Sequence, residues 1–169
     1  MKNLLILLLC LALTSCDDGD LQIETINFDD SDIQYCGSTV TTSSTLFFKI
    51  VDSEALILTL ASGTLKNEAS AGEVEYPISS NTTLTYRIFS ASVTQTYFCD
   101  VIPVTEPTVL EEIEAESGSV LITTTAVVDG ENTSYEHTIR LSGITLINNS
   151  NNQRITDLSI NDFGTVTTE

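Results

Sequence analysis

The chain has 169 residues, with 24 acidic side chains against six basic ones, a single histidine, four cysteines and no tryptophan. That balance excludes nucleic-acid binding, which needs clustered Lys and Arg, because Lys49, Lys66, Arg87, Arg140 and Arg154 are scattered through the sequence. It also sets the protein surface against anionic lipid headgroups, so any hold on a membrane has to come from something other than a basic face.

The first stretch, MKNLLILLLCLALTSCDDGD, is the most informative in the chain. Lys2 and the N-terminus give a small positive region, residues 4–13 are ten unbroken apolar residues, and Ser15 is a small residue before Cys16. This layout predicts a secretory signal peptide over residues 1–15. Ten residues are too few to cross a hydrocarbon core of ~30 Å. Leu13-Thr14-Ser15-Cys16 resembles the lipobox of bacterial lipoproteins. The resemblance implies that Cys16 becomes the lipid-modified first residue of the mature chain. It further implies diacylglyceryl and a third acyl chain, which together anchor stably where one chain does not. Asp17, Asp18 and Asp20 follow at once in a short acidic tether, residues 16–20. The cluster is similar to the surface-export tether of small envelope lipoproteins of Gram-negative Bacteroidota; the alternative is a solvated spacer with no sorting role. The expectation is an exported outer-membrane lipoprotein, exposed on the cell surface if the tether has that sorting role, with residues 21–169 as one domain.

With Cys10 lost in the leader and Cys16 lipidated, Cys36 and Cys99 remain. In an oxidising compartment the pair reads as a disulfide, with two buried free thiols as the competing reading. Their wide spacing argues against a redox motif.

Past the tether the apolar residues recur with period two and are rich in Thr, Val and Ile, which is strand chemistry. Residues 21–28 read as a first strand. Residues 45–51 place Leu46, Phe48 and Ile50 on one side, and residues 55–61 do the same with Leu56, Leu58 and Leu60. A polar loop with Lys66, Asn67 and Gly72 leads to a weak strand at 73–79, which Pro77 confines to an edge. Residues 83–90 turn Leu84, Tyr86 and Ile88 inward, and residues 94–102, with Tyr97, Phe98 and Cys99, read as a further strand. Pro103 and Pro107 bracket a connector. Strands at 109–116 and 119–128 flank Ser117-Gly118, and Asp129-Gly130 marks a hairpin turn. Residues 133–141 put Tyr135, His137, Ile139 and Leu141 on one face, and after Gly143 the apolar phase shifts to Ile144 and Leu146, predicting a bulge. An Asn-rich loop over 148–152 and strands at 154–160 and 165–168 end the chain. The fold class expected is all-β: an antiparallel β-sandwich, immunoglobulin-like or related, of about ten short strands.

Signals for catalysis are weak. His137 would have to serve any Ser–His–Asp triad, but no G-x-S-x-G elbow occurs. Glu111, Glu112, Glu114 and Glu116 suggest paired glycosidase carboxylates, yet Glu112, Glu114 and Glu116 alternate onto one strand face, as on a solvated sheet. Asp29, Asp30 and Asp32 are a weak calcium candidate lacking the EF-hand pattern; no other cofactor is implied. The reading that results is a lipid-anchored envelope module with a non-enzymatic binding or structural role and an envelope protein or glycan as partner. Two alternatives stay open: a carbohydrate-active or accessory enzyme using surface carboxylates, and a subunit of an outer-membrane uptake or secretion complex.

Overall fold

Alternating apolar and polar side chains build β2 (Leu46–Val51), β3 (Glu54–Thr59) and β5 (Thr83–Phe89), each burying a row of large residues. A computed structural model describes residues 26–102, 104–148, 153–155 and 161–169. Its other elements are β1 (Gln34–Tyr35), β4 (Val74–Pro77), helix α1 (Gln95–Cys99), β6 (Val109–Asp129), β7 (Asn132–Asn148), β8 (Gln153–Ile155) and β9 (Asp162–Thr168). The nine strands described form one antiparallel sheet in the order β1-β2-β3-β5-β6-β7-β8, with β4 added to β6 and β9 added to β7. Strands from both sides of the proline connector therefore share one sheet.

The β6–β7 hairpin is the spine of this sheet. Two separate strands were expected at 109–116 and 119–128, but the 21 residues of β6 run through as one. Ser117-Gly118 is a corner within that strand, and two register shifts mark it, where Ala115, Ser117 and Ser119 face Leu146, Thr145 and Ser142. One extra residue sits on β6 and then one on β7, so both strands bend together. Gly118 has φ +118°, and a Cβ there would lie 2.7 Å from Ile144 Cδ1 and 2.9 Å from the Gly143 carbonyl oxygen. Gly143 itself has φ +61°, and the expected phase shift follows it: Ile139 and Leu141 are buried before it, Ile144 and Leu146 after it.

At the corner the hairpin changes neighbours. β6 pairs with β5 over its first part and with the edge strand β4 over Ser119–Ile122; β7 pairs with β9 before the corner and β8 after it. The sheet thus curls into a half-barrel with the main core inside. That core draws on both sides of the bend: Phe47, Leu56, Leu58, Leu84, Tyr86 and Ile113 on one, Val120, Ile122, Ile139, Leu141 and Phe163 on the other. Fully burying each such side chain contributes about 1.5–3 kcal/mol.

Residues 26–28 were expected to end a strand; they are irregular, though Ile26 and Phe28 are core residues. The rest of that expected strand, 21–25, lies outside the described residues. This segment closes the open side of the half-barrel. Ile33 packs where Gly164, at φ +135°, carries no side chain, and Val40 forms a parallel bridge to Thr168.

The other face of β2, β3 and β5 buries a smaller cluster. Phe48, Ala55, Ile57, Phe89 and Val93 form it, with Leu46 and Ile50 alongside. Leu46, Phe48 and Ile50 do share a face, as the alternation predicts, but it is this outer one; Phe47 fills the main core. The strand expected at 94–102 is replaced by α1. The consecutive residues Tyr97, Phe98 and Cys99 cannot all face one side of a strand, whereas a single helical turn fans them over the outer cluster. Phe98 lies 4.4 Å from Phe48 and Tyr97 4.9 Å from Phe89, between ring centroids. Five residues cannot hold a helix unaided. The Cys36–Cys99 disulfide, with its Cα atoms 5.2 Å apart, fixes α1 beside β1, and Gln95 Nε2 donates to the Tyr35 carbonyl at 2.7 Å.

Candidate functional site

Lys49 occupies a place that the strand pattern reserves for an apolar side chain. On β2, Phe47 points into the main core and Phe48 into the outer cluster, so Lys49 points back to the core side. Its relative exposure is 4 %. Two segments roof it. The first is the turn at 28–33: Phe28 packs edge-on against Tyr86, and the Ser31 hydroxyl donates to the Ile50 carbonyl at 2.9 Å while accepting the Ile50 N–H at 3.3 Å. The second is the start of β9, held by the Leu141 N–H on the Asn161 carbonyl at 3.0 Å and by pairing of Asp162 with Arg140. Between them opens a cavity of about 800 Å³, with Asp29, Asp32 and Asp162 in its walls and Lys49 among its lining residues.

Among the described residues the ion pairs are Arg87–Glu112 and Arg140–Glu73, and neither a hydrogen bond nor an ion pair engages the Lys49 ammonium. Burial pulls its pKa down from the ordinary lysine value; Asp162, Asp29 and Asp32, in that order, oppose the shift from a distance. No buried side-chain nitrogen or oxygen among the described residues is both sealed from solvent and unpaired, so the ammonium is reached through the cavity. Chemically the site is a deep hydrogen-bond donor with a carboxylate rim.

The acidic loop considered for calcium is divided by this geometry. All three are exposed, but Asp29 and Asp32 line the cavity and Asp30 does not. Among the described residues no His, Cys, Asp and Glu side chains converge as a metal-holding group, and Lys49 in the cavity lining opposes a dication.

His137 is fully buried between two threonines, at the end of the half-barrel where β6, β7 and β9 meet. Thr124 Oγ1 lies 2.9 Å from Nδ1 and Thr168 Oγ1 2.9 Å from Nε2. Thr168 donates its hydroxyl hydrogen to Asn67 Oδ1 at 2.6 Å, so it accepts from Nε2–H, and Nδ1 accepts from Thr124. Both ring nitrogens are thereby satisfied, and burial lowers the histidine pKa. The arrangement holds the 64–72 loop to the last strand; it presents no free base to a substrate.

No family model, curated protein or solved structure matches this chain. What the site does must be read from its own residues.

The glutamates of β6 do not converge. Glu112 pairs with Arg87, Glu111 accepts a hydrogen bond from Asn148 Nδ2, and Glu114 and Glu116 are exposed. Cys36 and Cys99 meet as a disulfide. Cys16, the leader and the acidic tether lie outside the described residues. From the sequence Lys49 is only one of five scattered basic residues, and Asp162 carries no signal of its own. One signal was present: Lys49 interrupts the otherwise apolar run Leu46-Phe47-Phe48-Lys49-Ile50-Val51.

Proposed function

We propose that this chain is an exported outer-membrane lipoprotein, anchored through acyl chains on Cys16, that acts as a binding module and not as an enzyme. The observation that carries the reading is Leu13-Thr14-Ser15-Cys16 at the end of a ten-residue apolar run. The Cys36–Cys99 cross-link supports it, because disulfides persist in oxidising compartments. For the scaffold, the finer reading is a β-sandwich of the immunoglobulin-like or a related kind. A core fed from both sides of a sheet bent at Gly118 favours that reading. The binding role rests on the cavity around Lys49, the one described cavity with a nearly buried cation in its lining.

The anchor is tested by fractionating cells that express the parent chain or Cys16→Ala, with labelled fatty acid supplied. The expected result is a labelled parent in the outer-membrane fraction and an unlabelled, released variant. A Cys16→Ala protein that stays in the membrane would overturn the anchor.

A further inference from the structure

We propose that the cavity around Lys49 binds a small zwitterion of the α-amino-acid type, its carboxylate on Lys49 Nζ and its ammonium among Asp29, Asp32 and Asp162. The inference deepens the binding-module reading and rests on it.

Lys49 sets the first half of the ligand. A lysine ammonium is strongly hydrated, and placing it at 4 % exposure is costly unless something accepts its hydrogen bonds. Among the described residues nothing does, and its access is through the cavity. The complementary group is a hydrogen-bond acceptor, best a carboxylate, because a charge-assisted contact is about twice as strong as a neutral one.

Charge sets the second half. One ammonium among the three carboxylates of Asp29, Asp32 and Asp162 leaves the cavity net negative. A plain anion such as phosphate would satisfy Lys49 but meet those carboxylates. A dication would satisfy the carboxylates but meet Lys49. A ligand carrying both charges has an opposite charge to meet at each end. The volume of about 800 Å³ accommodates a free amino acid or a dipeptide with water. A neutral sugar is disfavoured because the one ring in the walls, Phe163, is wholly buried and offers no stacking face.

The test is titration calorimetry on the detergent-solubilised full chain with the twenty free L-amino acids. Glucose, CaCl₂ and inorganic phosphate serve as comparison probes. The expected result is saturable heat from at least one amino acid, lost when the same amino acid is N-acetylated or methyl-esterified. Lys49→Met should weaken binding at least about tenfold, the cost of one charge-assisted contact, and Asp162→Asn should weaken it several-fold. Circular dichroism confirms that each variant is folded. Should Lys49→Met fail to fold, the acetyl and ester derivatives decide the matter on the parent protein alone. The proposal is overturned by absence of saturable heat from every amino acid, by equal heat from the blocked derivatives, or by binding confined to glucose, Ca²⁺ or phosphate. None of these outcomes bears on the anchor, whose test reads fractionation alone.

Discussion

Removing the Cys36–Cys99 cross-link should cost this protein a large share of its stability, and the size of the loss follows from where the bond sits. The two cysteines are 63 residues apart. Closing a loop of that length restricts the unfolded chain by about 4 kcal/mol in the loop-entropy model. Typical domains have only about 5–15 kcal/mol in total. There is also a local loss, because α1 is too short to persist without its attachment and covers Phe48 and Phe89. The assay is equilibrium urea unfolding of the parent and the Cys36→Ala/Cys99→Ala double variant, followed by circular dichroism and tyrosine fluorescence. The variant should unfold at much lower urea. Its m-value should be larger, since an uncross-linked unfolded chain exposes more surface. Reducing the parent with dithiothreitol should reproduce the shift. A double variant within about 1 kcal/mol of the parent would refute the reasoning, because the loop term alone exceeds that difference.

Three further outcomes can be checked independently. His137 is buried neutral with its pKa lowered, so the unfolded chain takes up a proton that the folded one resists. Its contribution is complete above the unfolded value of about 6.5 and is lost as pH falls below it, at most about 1.4 kcal/mol per pH unit; a urea midpoint for His137→Gln that fell as steeply with acid as the parent's would contradict this. Lys49 also has a lowered pKa, so at neutral pH its charge weighs against folding. Lys49→Met should therefore raise stability at pH 7, with the gain shrinking as pH climbs towards the unfolded lysine value; a lower thermal midpoint for Lys49→Met would refute the assignment. Gly118→Ala brings a Cβ within 2.7 Å of Ile144 and forces an L-residue to φ +118°. It should cost roughly 2 kcal/mol or more, whereas Gly72→Ala, with open space around it, should leave the midpoint within about 0.5 kcal/mol.

The all-β character and most strand positions were legible because one-sided burial leaves a period-two trace. Leu56, Leu58 and Leu60, then Leu84 and Tyr86, show it plainly. Even the bulge after Gly143 was visible as a change of apolar phase. Misreadings arose where alternation is ambiguous. Tyr97, Phe98 and Cys99 are apolar in sequence, which suits a buried strand or a helical turn equally, and the deciding contact with Phe48 is remote in the chain. Ser117-Gly118 looks like a turn, yet its φ serves a corner inside one strand. The cavity left the faintest trace. Its walls come from the 28–33 turn, β2 and β9, and no local pattern announces that Lys49 and Asp162 will line one cavity across so much chain.

The β6–β7 hairpin is also the most local of the long-strand pairings. Asp129 pairs directly with Asn132, so a two-residue turn closes the longest pairing in the molecule. Pairing of that kind zips outward from its turn within about 1–10 μs in isolated hairpins. The bridge from Val40 to Thr168, by contrast, must wait for nearly the whole chain to be collected. The hairpin carries the edges to which β5, β4 and β9 pair. The approach of Ile33 to Gly164 beside the Lys49 cavity likewise joins two distant parts of the chain.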